Sequence, residues 1–206
     1  MSEYFDRMAS TWDQDPMKIE RSELTAEYCK RASLKDTGHL LDFGGGTGLL
    51  SVCLRDVFDR ITIVDTSSEM LRVAQEKIKE AQIPNISTQR IEQDLSEVVG
   101  SYSAIIALMT LHHIPDLDLF LNSAAKVLGS NGSLMIADLY KEDGSFHHND
   151  RDFTGHNGFE VEALSAKLNR AGFKVVQVTD YYQIRRKIKS GEERTFPLFF
   201  LVAEKL

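Results

Sequence analysis

The chain has 206 residues, a formal net charge of −7, 42% hydrophobic residues and 27% charged residues. This composition is typical of a globular protein, and we expect a single domain over residues 1–206. The negative charge disfavours nucleic acid as a partner, because binding a phosphate backbone requires a basic surface. No apolar run approaches the roughly 20 residues of a membrane span, and the N-terminus lacks a signal-peptide pattern. We therefore expect a cytoplasmic protein with no membrane span.

The pattern of apolar residues predicts an α/β fold. Residues 1–37 predict a helical segment, which precedes a core at 38–206 where strand-like and helix-like stretches alternate, as in a parallel sheet covered by helices on both faces. The predicted strands are 39–43, 60–65, 86–91, 102–108 and 132–139, and the predicted helices are 47–58, 67–81, 116–128 and 160–171. Residues 129–132 predict a turn before the fifth strand. Two further strands at 174–184 and 196–203, joined by the polar stretch 185–194, predict a C-terminal antiparallel hairpin.

The most informative pattern follows the first predicted strand. The spacing D-x-G-x-G-x-G falls on Asp42, Gly44, Gly46 and Gly48. Glycines at such a strand-to-helix turn let the backbone bend sharply and let a ligand approach bare N–H groups. Asp65 ends the second predicted strand, where a carboxylate can accept hydrogen bonds from both hydroxyls of a ribose. The two features together predict a ligand built on adenosine.

The glycine spacing disfavours two common nucleotide sites. The dinucleotide fingerprint G-x-G-x-x-G would place its third glycine at Leu49 when counted from Gly44, or at Ser51 when counted from Gly46. A phosphate-binding P-loop would require Gly-Lys-Ser/Thr, but Gly48 is followed by leucine. A nicotinamide-dependent oxidoreductase therefore stays an alternative function for this chain, although the chain lacks the glycine motif that is usual in that class.

The glycine motif resembles motif I of the class I S-adenosylmethionine-dependent methyltransferases. The similarity continues through Asp65, residues 93–95, the turn 111–114 and the predicted fifth strand, and it covers residues 35–206. It implies a Rossmann-like, seven-stranded, mostly parallel sheet with a C-terminal antiparallel hairpin. It also implies S-adenosyl-L-methionine as methyl donor and S-adenosyl-L-homocysteine as product. The opening segment from Phe5 to Asp13 resembles the small-molecule branch that includes the ubiquinone and menaquinone biosynthesis enzymes, which implies a small-molecule acceptor.

The resemblance assigns roles to individual residues. Asp65 is expected to bind the ribose or to cap the helix at Ser67, and Asp94 to bind the adenine amino group or to cap the segment that follows it. Asp42 is expected to organise the glycine loop, to reach the methionine amino group, or to cap the next helix. The complete set of expected cofactor-binding residues is Trp12, Asp42, Gly44, Gly46, Gly48, Asp65, Thr66, Met70, Asp94, Leu95 and Leu108.

The assignment of Met70 has an alternative, and so has the assignment of the chain as an enzyme. Met70 lies in a helical apolar stripe, so it can pad the adenine ring or simply pack in the core. Leu108 is expected to offer its carbonyl to the methionine portion. A cofactor-binding regulatory domain without catalytic activity is a further alternative to the enzyme, because intact cofactor residues do not by themselves establish turnover.

His112 and His113 are the candidate catalytic residues. They follow the fourth predicted strand, where a neutral imidazole can take a proton from an oxygen or nitrogen nucleophile. The alternative is that they shape the site or position the substrate, with one ring turned inward and the other outward.

The remaining motifs are less specific. The long polar loop over 141–158 contains histidines and acids, but their spacing matches no zinc signature, so we expect no metal site. Tyr4, Phe5 and Trp12 are expected either to cover the reacting sulfonium as a lid or to pack the N-terminal segment onto the core. We expect no disulfide between Cys29 and Cys53.

Overall fold

A seven-stranded sheet forms the centre of the protein. The computed structural model describes residues 2–148 and 153–206. The strands are β1 His39–Phe43, β2 Arg60–Asp65, β3 Ile86–Arg90, β4 Tyr102–Leu108, β5 Leu128–Leu139, β6 Phe173–Lys187 and β7 Glu193–Lys205. Their order is β3-β2-β1-β4-β5-β7-β6. Strands β1 to β5 are parallel, and β7 pairs antiparallel with both β5 and β6. This confirms the predicted α/β fold with a C-terminal hairpin.

Six helices accompany the sheet in the described part of the chain. They are α1 Ser2–Met8, α2 Pro16–Arg31, α3 Leu49–Cys53, α4 Ser68–Glu80, α5 Leu117–Val127 and α6 Val161–Arg170. Short 3-10 turns occupy Ala9–Gln14, Leu95–Glu97 and Leu111–His113. None of the helices within residues 2–148 and 153–206 has both the length and the apolar character that crossing a bilayer requires.

Both faces of the sheet are buried, as the sequence predicts. Adjacent residues of β1 point to opposite sides, because side chains alternate along a strand. Leu40 packs in a core with Leu71 of α4 and with residues of α2 and α3, whereas Leu41 packs with Phe120 of α5 and with residues of α6. The central strands β1, β2 and β4 therefore consist mainly of buried residues, whereas β3 and β6 at the two edges include exposed ones.

Several helix starts follow from local sequence. The Ser67 hydroxyl accepts a hydrogen bond from the Met70 amide at 3.1 Å and so caps the start of α4. Asp15 caps α2 by accepting from the Met17 amide at 3.0 Å, and Pro16 follows at the first helical position. These local signals fix where the two helices that flank the site begin.

Two predicted boundaries are wrong. Helix α3 ends at Cys53 instead of residue 58, because Leu54 leaves the helical region (φ −102°, ψ 1°) and the following turns bring Phe58 into the core. Strand β5 begins at Leu128 instead of 132, so the predicted turn at 129–132 is part of the strand. Leu128 pairs with Tyr102 across a register irregularity, and this pairing extends the strand.

The C-terminal hairpin is longer than predicted. Lys187 pairs with Glu193, so half of the polar stretch 185–194 belongs to β6 and β7. Only residues 188–192 form the connection, where Gly191 has a φ of 84°. Cross-strand backbone pairing extends both strands through residues whose polar side chains gave no strand pattern.

The strand order places a crevice beside β1. The chain passes from β1 outward through β2 to β3 and then returns to place β4 on the other side of β1. Ligands of open α/β sheets bind at such a switch point, outside the carboxyl ends of the strands. The loops that follow β1, β2 and β4 meet there.

Candidate functional site

The loop after β1, here called the glycine loop (residues 44–48), contains glycines that are required for different reasons. A Cβ at Gly44 would lie 2.3 Å from Thr110 Cγ2, so close packing excludes any side chain there. Gly46 has a φ of 55°, yet within the described part of the chain a Cβ at Gly46 would meet nothing nearer than Met70 Sδ at 3.7 Å. Gly48 precedes α3 at its N-cap. The loop therefore has its free space at Gly46, between Met70 and Asp65.

Asp65 holds the glycine loop against the start of α4. One carboxylate oxygen accepts from the Gly46 amide at 2.9 Å, and the other accepts from the Ser67 amide at 2.8 Å. Burial raises the pKa of Asp65, and these backbone amides partly oppose the rise. A carboxylate has about four acceptor positions, so each oxygen can accept a further hydrogen bond.

Asp42 lies beneath the glycine loop. Its carboxylate is 1% exposed and accepts a hydrogen bond from the Ser51 hydroxyl at 2.6 Å. A Cβ at Gly45 would lie 2.6 Å from Asp42 Cγ, so the loop backbone rests directly on this side chain. Burial raises the pKa of Asp42 to about 6, and the Asp65 charge adds to the rise. Of the three roles considered for Asp42, the structure supports organisation of the loop.

On the β3 side of the crevice, Asp94 caps a 3-10 turn. Its side chain accepts from the Ser96 amide at 2.7 Å, and Glu97 reaches back to the Asp94 amide in a capping box. Leu95 is fully buried, and Thr66 follows Asp65 at the end of β2. The structure thus gives Asp94 the capping role, and its contact with adenine stays a prediction.

The end of β4 is tied to the glycine loop. The Thr110 hydroxyl lies 3.1 Å from the Leu108 carbonyl oxygen and 3.5 Å from the Gly44 carbonyl oxygen. Met109, which lies between Leu108 and Thr110, has a φ of 53°, which is uncommon for a residue with a side chain. This turn carries the chain from β4 directly into the two histidines.

Residues 2–14, here called the lid segment, lie over the glycine loop and α4. Asp6 accepts from the Ser67 hydroxyl at 2.6 Å and from the Glu69 amide at 3.2 Å. Asp13 accepts from the Thr47 hydroxyl at 2.5 Å and pairs with Lys77 at 2.6 Å. Sequence reasoning missed both acids, since nothing local indicates partners more than 30 residues away.

Aromatic rings of the lid segment reach the histidines. The Phe5 ring lies 5.6 Å from the His113 ring and 5.7 Å from the Trp12 ring, and Lys18 Nζ lies 3.6 Å from the Trp12 ring centre. Tyr4 is half exposed and contacts Phe5 edge-on. The rings pack the segment against His113, and their role as a cover over the sulfonium stays a prediction.

His112 is oriented by a buried carboxylate. Its Nδ1 lies 2.6 Å from an oxygen of Asp138, and its backbone amide donates to the other oxygen at 3.2 Å. Both side chains are at most 1% exposed. Because a carboxylate accepts hydrogen bonds, Nδ1 is the nitrogen that donates, and Nε2 is the ring nitrogen that Asp138 does not engage. Asp138, at the end of β5, was not among the predicted site residues.

His113 has different surroundings. Burial and the neighbouring His112 and His147 lower the pKa of His113 to about 2. Its Nδ1 is buried and has no hydrogen-bond partner in the described residues. The predicted inward orientation fits His112, whereas His113 is not turned to solvent but lies beneath Phe5.

A third histidine joins the pair from the polar loop after β5. One ring nitrogen from each of His112, His113 and His147 lies within 4.8 Å of the others. No site residue was predicted in this loop, and its members at 149–152 lie outside the described residues.

Away from the site, Cys29 and Cys53 are both free thiols, as predicted.

Comparison with known proteins gives the family. A family model described as a methyltransferase domain matches residues 17–178. An uncharacterised methyltransferase of Schizosaccharomyces pombe is 30% identical over 94% of this chain and 73% of that protein. A ubiquinone biosynthesis O-methyltransferase of Xanthomonas axonopodis pv. citri is 29% identical over 66% of this chain, which spans 58% of that relative.

A solved structure shows the same fold. A SAM-dependent methyltransferase from Aquifex aeolicus superposes with a TM-score of 0.67 over 93% of this chain and 99% of that chain, at 21% identity. The family match covers most of the chain and includes the glycine loop, Asp65 and the histidines. The chain therefore belongs to the class I S-adenosylmethionine-dependent methyltransferases.

Proposed function

We propose that the chain transfers the methyl group of S-adenosylmethionine to an oxygen of a small molecule held beside His112 and His113. The observation that carries the proposal is the free space at Gly46, bounded by Met70 and by the Asp65 carboxylate. Only this part of the glycine loop leaves room for a ligand against the backbone. The S. pombe and Xanthomonas relatives support methyl transfer, and the latter's name supports an oxygen acceptor in a small molecule.

The residues around Gly46 fit the donor. Asp65 keeps acceptor capacity on both oxygens for the ribose hydroxyls, and Met70 offers a buried thioether surface beside them. Thr66, Asp94 and Leu95 would flank the adenine. Trp12 and Leu108 would line the methionine portion, while Asp42, Gly44 and Gly48 would keep the glycine loop in the shape that exposes Gly46.

The bound sulfonium supplies a methyl group that is already activated towards a nucleophile. The protein's part is to align the acceptor and to exclude water, and such alignment contributes about 7–11 kcal/mol in favourable cases. The lid segment supplies the cover, because Asp6 and Asp13 fasten it to α4 and Thr47. His112 and His113 would contact the acceptor, with the His112 ring held in one orientation by Asp138.

The test is a titration of purified protein with S-adenosylhomocysteine and, separately, with NADH, by isothermal calorimetry. We expect binding of S-adenosylhomocysteine alone, and we expect Gly46→Val to abolish it by filling the free space. Gly191→Val is the matched control, since Gly191 also has a positive φ and open surroundings but lies at the hairpin tip. Unchanged affinity in Gly46→Val, or binding of NADH alone, would overturn the proposal.

A further inference from the structure

Three imidazole rings converge beside the proposed acceptor position. His112 and His113 come from the 3-10 turn after β4, and His147 comes from the loop after β5. One nitrogen of each lies within 4.8 Å of the others, and their ring centres are 4.1 to 5.3 Å apart. We propose that His112, His113 and His147 form a binding site for one divalent transition-metal ion of the zinc class.

The His112 ring is prepared for such a role by Asp138. Metal-binding histidines commonly donate their second ring N–H to a carboxylate, which fixes the ring and raises the basicity of the ligating nitrogen. Here Nδ1 of His112 lies 2.6 Å from Asp138, so Nε2 is the nitrogen left to bind an ion. Asp138 is itself fixed, because it also accepts from the His112 and Leu139 amides.

The His113 ring has an unmet hydrogen-bonding requirement. Its Nδ1 is buried without a hydrogen-bond partner among the residues that the structure describes. Leaving such an atom unpaired inside a protein is unfavourable, and native structures rarely do so without a functional reason. Coordination of an ion would remove the cost.

The His147 ring is oriented by aromatic packing. It stacks on Phe153 with ring centres 3.7 Å apart and an angle of 7°, and it meets Phe146 edge-on at 4.9 Å. With Phe5 against His113, these rings form an apolar wall around the three nitrogens. An apolar surrounding limits the access of water and is typical of metal sites.

The donor set decides which ion fits. Imidazole nitrogens suit zinc, copper, nickel and iron, whereas magnesium and calcium require oxygen ligands. Nitrogens about 2.0–2.1 Å from a tetrahedral ion lie about 3.4 Å apart. The observed spacing of at most 4.8 Å is wider, so binding requires the His113 and His147 rings to move towards the His112 ring that Asp138 holds. Three protein ligands leave a fourth position open, as in catalytic rather than structural zinc sites.

The open position would face the acceptor, and an acceptor that offers an oxygen donor is the class that would occupy it. This use of the ion rests on the proposed function, but binding of the ion does not. Metal binding is therefore measured without methyl donor or acceptor. If the metal does not bind, the methyltransferase proposal still stands, and if methyl transfer is refuted, the metal-site proposal still stands.

The experiment uses full-length protein dialysed against a chelator and titrated with CoCl2, followed by the visible absorption of tetrahedral Co²⁺. We expect one equivalent to bind per chain. His147→Gln should weaken binding by more than a hundredfold, and Asp138→Asn should weaken it by about tenfold to a hundredfold. His148→Gln is the matched control, because His148 is the next residue along the chain and lies outside the cluster, with Nδ1 2.8 Å from the Ser145 carbonyl.

A second measurement does not depend on variants. In wild-type protein, ZnCl2 should shift the imidazole ¹⁵N resonances of His112, His113 and His147 and leave those of His148 and His156 in place. Absence of stoichiometric Co²⁺ binding, equal weakening in His147→Gln and His148→Gln, or zinc-induced shifts confined to other histidines would overturn the proposal.

Discussion

Asp13 offers a direct way to open the lid segment. Replacing Asp13 by alanine removes the hydrogen bond from Thr47 and the ion pair with Lys77. A hydrogen bond to a charged group contributes about 1.5–3 kcal/mol. The ion pair adds about 0–1 kcal/mol on the scale of surface pairs. The hydrogen bond alone therefore costs the closed state about 1.5–3 kcal/mol relative to the open state.

This loss has a measurable consequence for the ligand. Each 1.4 kcal/mol is about a factor of ten in an equilibrium constant, so Asp13→Ala should release S-adenosylhomocysteine about 10 to 100 times faster if the lid segment covers it. Trp12 is the sole tryptophan of the chain and lies in the lid segment, so its fluorescence reports opening. Stopped-flow displacement gives the release rate, and acrylamide quenching of Trp12 gives its exposure.

The control is Glu3→Ala, which removes an exposed acid from the same segment. It should change neither the release rate nor the quenching. If Asp13→Ala lowers the free energy of unfolding but leaves release and quenching unchanged, the segment only packs the N-terminus and the reasoning is refuted.

Three further predictions concern buried charges. Asp65→Ala should weaken S-adenosylhomocysteine binding by about 1.5–3 kcal/mol, and a calorimetric loss of a few tenths would remove it from the site. The pKa of Asp42 rises from 3.8 to about 6 on folding, so its stabilising contribution is complete below pH 3.8 and declines as pH rises through 6. In urea unfolding, the free energy of unfolding of the wild type should decline by about 3 kcal/mol over this pH range, whereas that of Asp42→Asn should not. Identical pH profiles for the two proteins would contradict this prediction. Among residues 2–148 and 153–206, the buried Nε of Arg21 has no hydrogen-bond partner. Arg21→Met should therefore leave the free energy of unfolding equal or raise it by up to about 3 kcal/mol, and a clear loss would contradict this.

The helix and strand pattern was predictable wherever the cause lies within a few residues. The cap at Ser67 depends on the Met70 amide three positions away, and the glycine loop follows from backbone conformations that the residue types themselves favour. Ends of elements were predicted less well, because distant pairing sets them. Leu128 extends β5 only because Tyr102 lies beside it, and Lys187 extends β6 only because Glu193 lies opposite.

The site divides in the same way. Sequence by itself identified Gly46 and Asp65, the residues proposed to hold the donor, since a strand-end acid and a glycine turn constrain the backbone locally. Only the tertiary structure brought Asp138 to His112, Asp13 to Thr47 and His147 to the histidine pair, each across more than 25 residues. Such contacts depend on which strand ends meet at one edge of the sheet, and the spacing of residues along the chain does not record that meeting.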